Sequence, residues 1–234
     1  MKFYYRDELI EFVIVYRDRK TLSIQIDMDG KVKVISPKSF HEKYILSIVE
    51  TKGKWILNKL NLIKSRKNRI PSYKYINGER YLYLGEYYNL VIKKGSFNTE
   101  YANILSLGKL LEVKINSIEN IRGILEKFYR YESFKIINER VEYYKRYFRI
   151  KPKQIKVKEQ KRIWASCTFE NKLLFNWRLS MMPIDVIDYI IIHEMCHMEY
   201  KNHSKEFWND VYRVMPNYKE KEMWLKENGC IVNL

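Results

Sequence analysis

His193-Glu194-Met195-Cys196-His197 places two imidazoles four residues apart, with a carboxylate directly after the first. On an α-helix, residues i and i+4 lie one turn apart on the same face, so both rings can reach a single ion while Glu194 projects beside an open coordination position. Taken singly, either histidine is an ordinary hydrogen-bonded helix residue. The chain, however, has only four histidines, and a third, His203, follows closely. The stretch therefore predicts a metal site on a helix, and His41, far away in the sequence, is expected at the surface.

The spacing H-E-x-x-H is that of zinc hydrolases. A third ligand is needed, and His203 stands six residues beyond His197. Tyr200, Lys201 and Asn202 are poor continuations of an apolar helix, so a turn there would swing His203 back toward the other two, with Asn202 or Ser204 capping the next helix. Carboxylates also ligate zinc, which leaves Glu199 and Glu206 as rivals, Glu206 being the better placed. Three protein ligands and a water complete a tetrahedral catalytic site, with Glu194 as the base that takes the water's proton.

Composition narrows the class. At 234 residues, with 46% hydrophobic residues and 15% aromatics, the chain can bury a substantial core in one large domain or two small ones. Forty-four Lys and Arg against 28 Asp and Glu give a net charge of +16, which favours polyanions, and nucleic acid is one partner such a surface admits. The basic residues cluster locally at Lys64 to Arg69 and Lys151 to Arg162. Cys167, Cys196 and Cys230 form no even framework and no C-x-x-C pair, which predicts a reducing compartment; Cys167 and Cys196 are expected as small buried hydrophobes rather than nucleophiles. The first residues are charged where a signal peptide has its apolar core, and no apolar run reaches transmembrane length. A cytoplasmic protein with no membrane partner is expected.

The first third alternates. Leu22, Ile24, Ile26 and Met28 lead into an Asp29-Gly30 turn, Val32 and Val34 resume the period, and Pro37 ends it. Ser39 and Glu42 match a capping box, and Ile45, Val49, Ile56, Leu60 and Ile63 mark one face of a helix to about Ser65, with Gly53 inside it. A basic linker precedes Pro71. Tyr81 to Gly85 and Tyr87 to Lys93 follow as strands, with Asn77-Gly78 a turn. From Ser117 the period becomes helical, through Ile121, Leu125, Phe128, Ile137 and Val141, and stops before Pro152. Short strands are expected near Ile155 to Val157, Arg162 to Cys167 and Leu173 to Asn176. Pro183 and Asp185 then open the metal helix, and helices through Phe207 to Val214 and Trp224 close the chain around a break at Pro216. No internal repeat is visible. The change of period suggests a β-rich module over 1–110 and a second domain over 111–234.

These residues resemble the YgjP-like metal-dependent hydrolases, relatives of SprT-like and other minimal H-E-x-x-H metallopeptidases. The resemblance runs through Lys20 to Ile24, Asp29-Gly30-Lys31-Val32, Trp55-Ile56 and Tyr83-Leu84-Gly85. It is most specific in Arg162 to Cys167, Asn176 to Leu179, Pro183 to Tyr189, His193 to His197 and Asn202 to Trp208. Ala165 stands where the group's Trp-Gly-Ser-Cys pattern carries glycine. The histidines also share the metzincin spacing, but Tyr200 replaces the glycine that pattern requires. The resemblance implies an α+β protein, a β-rich module with a helix ahead of a mainly helical, zincin-like core with a short sheet. It implies zinc on His193, His197 and His203, favouring His203 over Glu206, and Glu194 as general base. Peptide hydrolysis is the first expectation. Nucleoside triphosphate pyrophosphatase activity on UTP, also attributed to the group, is the alternative, and a nucleic-acid-associated protease module is a third.

Overall fold

The computed structural model describes residues 1–27 and 29–234; Met28, expected to continue the first alternation, lies outside the described residues. Those residues form six α-helices and eleven strands in three small sheets, an α+β architecture. They divide into two units, Met1–Ile70 and Pro71–Leu234.

The first unit holds β1 (Lys2–Tyr5), β2 (Glu8–Arg17), β3 (Ser23–Ile26), β4 (Val32–Pro37), α1 (Glu42–Thr51) and α2 (Gly53–Arg69). Its sheet has the order β1-β2-β4-β3. The expected hairpin is β3 against β4, antiparallel, closed by a loop in which the Asp27 carboxylate accepts from the N–H groups of Asp29 and Lys31 at 2.9 Å each. Alternate residues Ile10, Phe12, Val32 and Val34 point inward onto Ile45, Val49 and Ile56 of the helices. Two local expectations differ. The helix starts after His41 rather than Ser39, with no side-chain cap, because Ile45 N–H closes the first turn on the His41 carbonyl at 3.0 Å. It also divides at Lys52. Gly53 is required beside that break, since a Cβ there would collide with the Tyr5 ring.

The second unit contains β5 (Arg80–Tyr83), β6 (Glu86–Lys94), β7 (Tyr101–Leu105), β8 (Leu110–Ile115), α3 (Ile121–Tyr144), β9 (Gln154–Lys158), β10 (Ala165–Cys167), β11 (Lys172–Asn176), α4 (Ile184–Cys196), α5 (Lys205–Val214) and α6 (Tyr218–Asn228). The boundary expected after residue 110 falls at the start of β8, inside a hydrogen-bonded sheet of order β5-β6-β8-β7. The change of period marks where strands give way to a helix, but a unit is delimited by its core. Tyr81, Leu90, Leu111 and Val113 share one apolar cluster with α3 and α4, and Tyr129 Oη on α3 donates to the Leu82 carbonyl at 2.8 Å. A second sheet, β10-β11-β9, lies in the same unit, with β10 antiparallel and β9 parallel to β11.

The two four-stranded sheets repeat one another. Lys2, Glu8 and Ser23 open strands at the same places as Arg80, Glu86 and Tyr101, a constant offset of 78. Lys109, inserted after Gly108, raises it to 79, so Phe12↔Val32 becomes Leu90↔Leu111 and Ser23↔Ile35 becomes Tyr101↔Lys114. Strand order and pairing senses agree. Both opening hairpins turn on two left-handed residues, Arg6-Asp7 and Leu84-Gly85, the geometry of a type I′ turn. The buried positions correspond as well: Phe3 to Tyr81, Ile10 to Tyr88, Phe12 to Leu90 and Val34 to Val113. The repeat is faint in the sequence because these pairs share burial and, apart from Val34 and Val113, not identity.

Candidate metal centre

Pro183 precedes the first residue of α4, where its missing N–H costs nothing. The helix is almost wholly buried: Ile187, Ile191 and Met195 pack into the core as their spacing predicts. Asp188 anchors it to α3, accepting from Arg140 Nε and Nη2 at 2.6 Å each and from Tyr144 Oη at 3.0 Å. His193 and Glu194 lie in its last turn, and His197 caps its end. The chain then turns, Tyr200 N–H reaching the Cys196 carbonyl at 2.9 Å. Ser204 caps α5 by accepting from Phe207 N–H at 3.4 Å.

That turn brings His203 back. Its Nε2 lies 3.1 Å from His193 Nε2 and 3.2 Å from His197 Nε2. Tetrahedral ligands at zinc–nitrogen distances of ~2.05 Å stand about 3.3 Å apart, so the three nitrogens fit one ion. His197 Nδ1 donates to the Tyr200 carbonyl at 2.9 Å, which leaves Nε2 unprotonated and aimed inward. Burial, reinforced by its two histidine neighbours, pushes His193 down to about 3, and burial lowers His197 too; both rings are neutral donors near pH 7. Among the described residues this histidine trio is the one cluster of metal-ligating side chains. Glu199 and Glu206 are exposed and outside it, Glu206 being hydrogen-bonded to Ser204. His41 is exposed at the start of α1.

Glu194 is 7% exposed. Burial pushes its carboxyl up to about 7, partly opposed by a hydrogen bond from Cys167 N–H. A cleft of about 350 Å³ lies between Ala165–Cys167 of β10 and the histidines, with Glu194 and Lys201 on its wall. A wider groove of about 460 Å³ between α3 and β9 holds no imidazole, thiol or carboxylate. Cys167 is half-buried and its thiol is raised by burial; Cys196 is fully buried, its thiol raised further and donating to Asp210 at 3.8 Å. Neither is an activated thiolate.

Sequence reasoning missed three contributors. Phe207 is fully buried, its ring centroid 4.9, 4.5 and 4.9 Å from those of His193, His197 and His203. Trp208 stacks on His203 at 5.7 Å. Their place directly after the Ser204 cap was the available signal. The Cys167 N–H could not be found this way, because a backbone donor leaves no residue type to read.

Three convergent imidazoles with a buried carboxylate beside them, on a helix facing a cleft, are the arrangement of a metallopeptidase. Residues 20–228 match the profile of the YgjP-like metallopeptidase domain, and the chain belongs to this family. Among solved structures, the metallopeptidase zymogen abylysin of Pyrococcus abyssi is similar at 20% identity and a TM-score of 0.37, over 40% of this chain and 95% of that one. No curated protein matches the chain. Among the described residues no helix is long and apolar enough to cross a membrane.

Proposed function

We propose that the protein is a zinc-dependent peptidase in which His193, His197 and His203 hold the ion and Glu194 is the general base. The observation that carries this is the 3.1–3.2 Å spacing of three Nε2 atoms beside a buried carboxylate. A bound zinc ion supplies Lewis acidity, lowering the pKa of water and polarising a carbonyl. The chain's own groups supply the rest. Burial keeps Glu194 basic enough to accept a proton near neutrality, and Cys167 N–H holds the carboxylate in place. β10 is the outer strand of its sheet and lines the cleft, so an extended peptide can be recognised there through its backbone.

The alternative substrate, a nucleoside triphosphate, is favoured by Lys201 in the cleft and by the +16 charge. Against it, the described cleft has no glycine-rich phosphate cradle and no second carboxylate to hold magnesium. A nucleic-acid partner rests on the net charge, and a reducing compartment on the cysteine pattern. The test is a screen of peptide libraries beside nucleoside triphosphates with zinc-loaded protein. Peptide cleavage that Glu194→Gln reduces by about 10²–10⁴ is expected; triphosphate hydrolysis with intact peptides would replace the reading.

A further inference from the structure

The metal ligands and the base account for only part of the cleft. Besides them, its described wall consists of Ala165 to Cys167 and Lys201. Lys201 is the one cationic side chain on that wall, and the proposed chemistry gives it no role. A lysine is usually a solvated surface charge; what sets this one apart is how it is held.

Lys201 Nζ donates to Asn171 Oδ1 at 2.6 Å and lies 5.9 Å from the centre of the Phe169 ring. Both partners belong to the turn between β10 and β11, and that turn is fixed by its own backbone. Asn171 N–H donates to the Thr168 carbonyl at 3.0 Å, Lys153 N–H to the Asn171 carbonyl at 3.0 Å, and Thr168 N–H to the Lys172 carbonyl at 2.9 Å. Asn171 has a φ of 61°, a left-handed conformation that glycine adopts at least cost and asparagine tolerates. Asparagine keeps the turn and adds the amide oxygen that orients the ammonium. That oxygen carries no charge. Among the described residues Lys201 has no ion pair, and the acids near it in sequence or space are engaged otherwise: Glu170 with Lys172, Asp210 with Arg213, and Glu206 with Ser204. The cleft thus presents a positive charge that is oriented but unpaired.

We infer, resting on the peptidase reading above, that Lys201 sets substrate specificity by binding a carboxylate of the peptide, so that acidic peptides are preferred. An ammonium has three N–H donors and Asn171 takes one; a carboxylate accepts from the others in charge-assisted bonds, which are stronger than bonds to a neutral amide. The place suits a peptide. One laid along the outer edge of β10 reaches, at one end of that strand, the turn that holds Lys201. A side-chain carboxylate and the peptide's own carboxyl terminus offer the same chemistry. Because the contact is away from the reacting bond, it binds ground state and transition state alike, and its effect falls on KM and not on kcat.

The experiment uses position-scanned peptides that differ only by Glu or Gln, each with a free or an amidated carboxyl terminus, beside a nucleoside triphosphate. Cleavage is measured with the zinc-loaded full chain. Binding is measured with Glu194→Gln, with and without zinc, which separates Lys201 from carboxylates that simply ligate the ion. The wild type is expected to favour the acidic member of a pair by about tenfold, through KM, and by less at high salt. Glu194→Gln is expected to show the same preference in Kd and to keep it without zinc. Loss of the preference on amidation assigns the terminus; loss on Glu to Gln at one position assigns a side chain. Lys201→Met is expected to abolish the preference, Lys201→Arg to restore it and Lys201→Glu to invert it. Asn171→Gly, which suits the turn but removes the acceptor, is expected to reduce it. Acidic and neutral peptides cleaved and bound equally by the wild type would overturn the inference and leave the peptidase reading standing. So would a preference that survives Lys201→Met, or a loss in Lys201→Met that falls on kcat for all peptides alike. Acidic peptides bound through Lys201 but never cleaved would sink the peptidase reading alone, and a triphosphate bound through Lys201 with acidic peptides ignored would sink both.

Discussion

Glu194 and His193 are adjacent, and the same burial pushes them in opposite directions, the carboxyl up to about 7 and the imidazole down to about 3. In the metal-free protein both shifts destabilise the charged forms. Glu194 contributes stability that is full below its ordinary value near 4.5 and lost as pH rises through 7; His193 contributes stability that is full above 6.5 and lost as pH falls toward 3. Metal-free Glu194→Gln is therefore expected to be more stable than metal-free wild type at pH 8, by up to about 3 kcal/mol, and equal to it near pH 4. Urea unfolding at the two pH values measures this. A difference that does not change with pH would refute the burial argument. The third ligand has its own test: His203→Ala is expected to lose most of the zinc measured by elemental analysis, and Glu206→Ala to keep it. Zinc retained by His203→Ala and lost from Glu206→Ala would reverse the assignment.

At the scale of elements, the site depends on how α4 and α5 are held. Asp188 is nearly buried and receives both Arg140 bonds and the Tyr144 hydroxyl, so removing the guanidinium strands a buried carboxylate. Arg140→Ala is expected to cost about 3–5 kcal/mol in denaturant unfolding, and Arg140→Met with Asp188→Leu to recover most of it. If the single variant is neutral, the pair does not anchor the helix. α5 contributes differently, by presenting Phe207 to all three imidazoles. Phe207→Ala is expected to lose about 3–5 kcal/mol and to weaken zinc binding as well, whereas Val211→Ala, a buried truncation on the same helix, should lower stability with little effect on zinc. Equal zinc affinity in the two variants would reduce Phe207 to ordinary core.

For the whole molecule, the two units have separate cores, and the metal site lies in the second. Binding stabilises by about 4 kcal/mol when free ligand exceeds Kd a thousandfold. Chelation is therefore expected to lower the melting temperature and to increase amide exchange in α4 and α5, leaving β1 to β4 protected as before. Loss of protection spread evenly over both units would show that they unfold as one. The same division explains why the boundary was misplaced in the sequence: 71–110 alternates like the first unit, yet its apolar face belongs to the core built by α3.

The sequence alone determined whatever depends on residue type at a fixed spacing. His193, Glu194 and His197 share a helix face because the helical repeat leaves no alternative, and Ser204 ends the turn that returns His203 because its hydroxyl can cap a helix. β3 to β6, β9 to β11 and α3 are legible from their periods, whereas β1, β2, β7 and β8 were not expected from the sequence. Tertiary structure decided the rest, for a common physical reason: packing selects for shape and burial, which many residues satisfy. Tyr88 does for one sheet what Ile10 does for the other, so the repeat is faint in identities. Phe207 is one aromatic among many until three imidazoles close over it. The Cys167 N–H on Glu194 is a backbone group that every residue but proline possesses, and only the placement of β10 against α4 gives it a role.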